Sequence, residues 1–183
     1  MAEVSFPITG NPEDDQVLVD SPLALMIGML LDQQVPMSWA FRGPARLKER
    51  LDGRLDAGEI AAMGPDAVAA LFSAKPALHR FPGSMGKRTA LLCQYLVDHH
   101  GGDAADLWER VHALPGFGEE KSQIFIALLA KRFGVAPEGW EQVAGVFADD
   151  EPRSVADVDT DARLLDVRAW KKAKKAAGKT KQD

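Results

Sequence analysis

Apolar residues recur three and four apart along most of the chain, and no strand-length run alternates apolar with polar. The pattern predicts helices throughout. Ser21-Pro22 is a helix start, a capping residue followed by proline at the first helical position, and Leu23 to Leu31 is almost wholly apolar. Pro36 closes that helix, which leaves Asp32, Gln33 and Gln34 at its C-terminal end, where side chains can reach a cleft. A second helix over Ser38 to Leu51 is expected to be interrupted at Gly43-Pro44. Asp56 and Glu59 have capping-box spacing before Ile60 and Met63, and Pro65-Asp66 opens a helix through Phe72.

Ser73 to Gly86 reads as a long loop carrying His79, Arg80 and Phe81. Lys87 to His100 is amphipathic, with Leu91, Leu92, Tyr95 and Leu96 inward and Lys87 and Arg88 in its first turn; Gly101-Gly102 stops it. Beyond residue 134, Pro137-Glu138 opens a helix with Trp140, Val143 and Phe147. Ser154 and Asp157 can cap a short turn, and a last helix from about Thr160 turns Leu164, Leu165, Val167 and Trp170 inward.

The stretch from Asp106 to Gly134 organises the rest. Leu107, Trp108, Val111 and Leu114 mark an amphipathic helix that Pro115-Gly116-Phe117-Gly118 breaks. A second helix, from Glu119 to Phe133, is apolar nearly all round from Ile124 to Ala130, and Gly134 is placed to terminate it. The start of that helix has unpaired amides and the positive end of its dipole, beside two glycines that admit close approach. Such a turn suits an anion, typically phosphate; a plain helix–turn connection is the alternative.

Charge changes the picture. Up to Asp166 there are 15 Lys and Arg against 26 Asp and Glu; after it there are 7 against 1. An acidic body disfavours nucleic acid, and a basic tail favours phosphate contact. The single cysteine, Cys93, excludes an internal disulfide and a four-cysteine iron–sulfur cluster, and its apolar neighbours predict a buried thiol. His99-His100 lacks partners at metal spacing, so no side-chain metal site is expected. No run has the layout of a signal peptide or the length of a membrane span, so a cytoplasmic protein without membrane contact is expected.

LPGFGEEKSQIFIALL resembles the helix-hairpin-helix of the HhH-GPD superfamily of DNA glycosylases, the group of endonuclease III. FPGSMGKRTALL and SPLALMIGMLLDQQVP resemble its Gly-x-x-x-Lys helix and its early helix ending in Gln-Gln. The likeness covers roughly Ser21 to Gly134 and is to a small actinobacterial-type branch. It implies an all-α fold of two helical lobes with the hairpin at their junction. With the polar start and the basic end read from composition, the expected layout is an arm over residues 1–20, a core over 21–134 containing the hairpin over 106–134, C-terminal helices over 135–170, and a disordered basic tail over 171–183.

The resemblance further implies base-excision repair of double-stranded DNA by a monomer that extrudes a base and cleaves its glycosidic bond. Gly116, Phe117, Gly118, Lys121, Gln33, Gln34, Lys87 and Arg88 would contact DNA. The hairpin carbonyls of relatives hold a monovalent cation. In bifunctional members a lysine two residues after the second glycine is the nucleophile. Glu120 stands there, and Lys121 is turned by about 100°. A monofunctional glycosylase is therefore expected, without an iron–sulfur cluster. The family's aspartate after the hairpin has no counterpart in GVAPEGWEQV. Glu138 is the leading catalytic carboxylate, with Asp32 and Glu141 as alternatives. A non-catalytic hairpin module or repair-associated adaptor is the other reading.

Overall fold

Ser21 caps as its place before Pro22 predicts: its hydroxyl accepts the Ala24 amide at 3.1 Å. The computed structural model describes residues 4–100, 111–136 and 139–182. Among these the regular elements are α1 (Pro12–Asp20), α2 (Pro22–Leu31), α3 (Met37–Arg50), α4 (Ala57–Met63), α5 (Pro65–Ser73), α6 (Pro82–His100), α7 (Glu119–Phe133), α8 (Trp140–Ala144) and α9 (Asp161–Ala176), with short 3-10 turns between some of them. The fold is all-α. None of the described helices is long and apolar enough to cross a membrane.

Nine of the ten residues of α2 are buried, so this helix is the centre of the packing. It meets α3 through two reciprocal notches. A Cβ on Gly28 would fall 2.7 Å from the Phe41 ring, and one on Gly43 would fall 2.4 Å from Leu31 Cδ1. Burial of Phe41, Gly43, Pro44 and Leu47 holds α3 as one helix through Gly43-Pro44, which corrects the expected interruption. Packing outweighs the cost of an internal proline, about 3 kcal/mol.

Residues 4–20 are not a free arm. Phe6 and Ile8 are fully buried, and the Phe6 ring packs edge-on to Phe41 at 5.8 Å and Phe133 at 6.0 Å. The Asp15 carboxylate fixes this segment by accepting the amides of Ile8 and Thr9. The buried side chains, from Phe6 through Ile60 and Val68 to Val167, form one continuous cluster. The expected segment boundaries therefore do not divide the core.

The loop after α5 is shorter than expected because Pro82 starts α6 and draws Gly83 to Gly86 into it. Gly134, left-handed at φ 69°, ends α7. Ser154 and Asp157 form a reciprocal capping box, and Thr160 caps α9. Cys93 is buried, which pushes its thiol up to about 12. Two inward expectations fail: Leu91 and Leu165 are exposed. In the described part of the basic tail α9 continues to Ala176, and Lys181 is held by an ion pair. Leu107 and Trp108, most of the predicted first hairpin helix, and the Pro137-Glu138 start lie outside the described residues; residues 111–113 form a single 3-10 turn.

Candidate functional site at the start of the hairpin helix

The hairpin turns at Gly116, which is left-handed at φ +84° and lies against α2: a Cβ there would meet Leu30 Cδ1 at 2.4 Å. Only glycine satisfies both demands. Gly118 differs. Its backbone is extended, and a Cβ there would meet nothing within 4 Å. Phe117 between them is buried edge-on to Phe125 at 5.6 Å, and its amide bonds to the Leu114 carbonyl. Its side chain anchors the turn in the core and is not available to DNA, which corrects that expectation.

Beyond the turn, α7 opens without a side-chain cap. The amides of Gly118, Glu119, Glu120 and Lys121 find no acceptor among the described residues; the first helical bond runs from Ser122 to the Gly118 carbonyl. These four residues line a cleft of about 420 Å³ together with Asp32, Gln33 and Lys181. A second hollow of similar volume shares Gly118 and Glu119 with it and is bordered by His112, Phe117, Ser122 and Gln123.

The facing wall of the first cleft is the carbonyl end of α2, closed by side chains. The Leu30 carbonyl accepts Lys121 Nζ at 2.9 Å and Gln33 Nε2 at 2.7 Å. His79 Nε2 lies 3.1 Å from both the Leu31 and Gln33 carbonyls, and its Nδ1 accepts the Phe81 amide at 3.0 Å. Two acceptors at one nitrogen and a donor at the other place the proton on Nε2. His79 is fully buried, and that burial lowers its pKa, with the Lys121 charge acting the same way. Spacing alone marked this residue as a loop histidine; its carbonyl partners lie 46 and 48 positions away in sequence.

Lys121 is consequently not a free phosphate contact but a cap on α2. Burial brings its amine down to about 8; Asp32 opposes that shift, while Lys181 and Arg88 reinforce it. Asp32 is half-buried at the end of α2, and its carboxylate makes no hydrogen bond to a described residue. Gln33 is positioned by Arg88, whose guanidinium donates to its side-chain oxygen at 3.1 Å. Gln34 is exposed and left-handed at φ 57°. Asp32, Gln33, Arg88, Gly116, Gly118 and Lys121 are thus brought together.

Other expected residues lie elsewhere. Lys87 sits in the second turn of α6 and pairs with Asp66 of α5 at 2.9 Å. Glu141 is exposed in the first turn of α8. Glu138 lies outside the described residues. Glu120 pairs with Lys181 at 2.9 Å. Of the hairpin carbonyls expected to face a monovalent cation, Gly118 already accepts both the amide and the hydroxyl of Ser122, while Val111 and Leu114 each accept one amide. No group of three or more His, Cys, Asp or Glu among the described residues could hold a metal. No protein-family model, no curated protein and no solved structure matches the chain.

Proposed function

We propose that the chain is a monofunctional DNA glycosylase of base-excision repair with the two-lobed, glycosylase-like arrangement that its hairpin motif implies. One observation carries the reading: Gly118 to Lys121, whose amides bond to no described residue, line a cleft together with Asp32, a half-buried carboxylate with no hydrogen-bond partner among the described residues. Amides at a helix start bind a phosphodiester oxygen. The Asp32 carboxylate stabilises the oxocarbenium-like charge that develops as the glycosidic bond breaks, and orients the attacking water. Asp32 lines this cleft and Glu141 does not, so of the expected carboxylates that the structure describes Asp32 takes the catalytic assignment. Lyase chemistry is not part of the proposal, because Glu120 occupies the nucleophile position and Lys121 is spent on the Leu30 carbonyl.

The acidic side chains at the mouth, Glu119, Glu120 and Asp32, favour a second reading: a non-catalytic DNA-binding hairpin module or adaptor. Duplex oligonucleotides carrying uracil, alkylated, oxidised or mismatched bases, treated with alkali after incubation, separate the two. An alkali-labile abasic site from one substrate, lost in Asp32→Asn, supports the glycosylase. Duplex binding with no abasic product from any substrate leaves the binding module. Absence of duplex binding at low salt removes the glycosylase and the DNA-binding module and leaves the adaptor.

A further inference from the structure

The tail after α9 is built into the site described above. The helix end is closed by bonds from Gly178 to the Lys175 carbonyl and from Lys179 to the Lys174 carbonyl. Left-handed Gly178 then turns the chain. Arg153 donates to the Lys181 carbonyl at 3.0 Å and is itself fixed by Asp149 at 2.9 Å. Trp170 anchors the same region: its indole N–H donates to Glu151, and the cations of Arg153 and Lys174 lie over its ring. Thus Lys181 is held by its backbone while its ammonium group reaches Glu120.

The placement alters the electrostatics of the cleft. Its wall carries three carboxylates, Asp32, Glu119 and Glu120, and two ammonium groups, Lys121 and Lys181. Lys121 is engaged on the Leu30 carbonyl. Without Lys181, a phosphate approaching the α7 amides would meet three acids and one committed lysine. With it, Glu120 is neutralised at the turn where the amides are open.

We infer that the C-terminal segment is the cationic half of a duplex-DNA surface, with Lys181 offsetting Glu120 and contacting the phosphodiester backbone that docks on the α7 amides. The inference rests on the DNA-binding reading above. Because the Lys181 carbonyl is pinned by Arg153, the side chain pivots between Glu120 and a phosphate without moving the tail.

The experiment is fluorescence anisotropy with a labelled duplex over a sodium chloride series. It compares the unsubstituted full-length chain with Lys181→Glu, Lys181→Ala, Glu120→Gln and Lys172→Glu. Lys172 is exposed and does not line the cleft, so its reversal changes net charge equally. Lys181→Glu should weaken binding about tenfold and lower the salt slope by about one, the signature of one lost phosphate contact. Lys181→Ala should show the same slope change, Glu120→Gln should tighten binding, and Lys172→Glu should shift affinity less than about twofold. Equal losses in Lys181→Glu and Lys172→Glu overturn the inference in favour of bulk charge. Tighter binding by Lys181→Glu or Lys181→Ala overturns it in favour of a tail that competes for the cleft. Binding by the unsubstituted chain that neither Lys181 change alters overturns this inference alone; no binding by that chain overturns the DNA reading with it.

Discussion

Two helix ends face each other across the cleft, and the chain treats them in opposite ways. At the carbonyl end of α2, Leu30, Leu31 and Gln33 are served by Gln33, Lys121 and His79, the last two drawn from 46 to 91 positions away. At the amide end of α7, four donors have no protein acceptor among the described residues. Unpaired backbone groups need a partner from water or ligand. On the proposed reading, the satisfied acceptors of one wall and the unpaired donors of the other favour a ligand that accepts hydrogen bonds.

The closed wall is where substitution should cost most. His79→Ala removes the shared donor of two buried carbonyls and leaves a cavity, for a loss of about 3 kcal/mol by urea unfolding. A loss under about 1 kcal/mol would show that the carbonyls find other donors. The imidazole also gives the wall a pH dependence. Burial depresses the native pKa below the ordinary 6.5, so the unfolded chain takes up a proton that the native ring accepts only by expelling the Phe81 amide. The contribution is full above 6.5 and declines as pH falls toward the native value. Urea midpoints measured downward from neutral pH should fall, and less steeply in His79→Asn.

Gly116→Ala comes next, at about 2 kcal/mol, because it combines a left-handed backbone with a clash against Leu30. Lys121→Met should change stability by about 1 kcal/mol or less at neutral pH, since Gln33 still serves the Leu30 carbonyl. With its native amine at about 8 and an ordinary value of 10.5, Lys121 binds more proton in the unfolded chain between those limits. The unsubstituted chain should therefore gain stability relative to Lys121→Met as pH rises through that window in thermal melts. The smallest effect belongs to the open wall. Gly118→Ala should stay within about 0.5 kcal/mol yet weaken duplex binding, because its methyl would occupy space that only a ligand uses. Unchanged affinity would mean that nothing docks on that face.

What could be read in advance was local. Ser21-Pro22, Gly134, the Ser154–Asp157 box and Thr160 are set by groups two to four residues apart, and each does what its spacing predicts. What could not be read depends on distant partners. Asp32 and Gln33 were placed at a helix end facing a cleft, but nothing near His79 announces its bonds to Leu31 and Gln33. A lysine two places from the last residue carries no local sign of Glu120. Pro44 looks like a break because the compensating contact, Leu31 against Gly43, belongs to another helix.

The paired recesses between α2 and α3 set a mechanical limit. With Phe41 seated in Gly28 and Leu31 seated in Gly43, neither rod can slide or roll past the other, as with a key in a two-point lock. The last carbonyls of α2 are therefore held at fixed height and bearing. Whatever breathing admits a guest must come from the opposite bank, and a single methyl added at Gly28, three residues before Leu31, would shift the edge of the cleft without touching it.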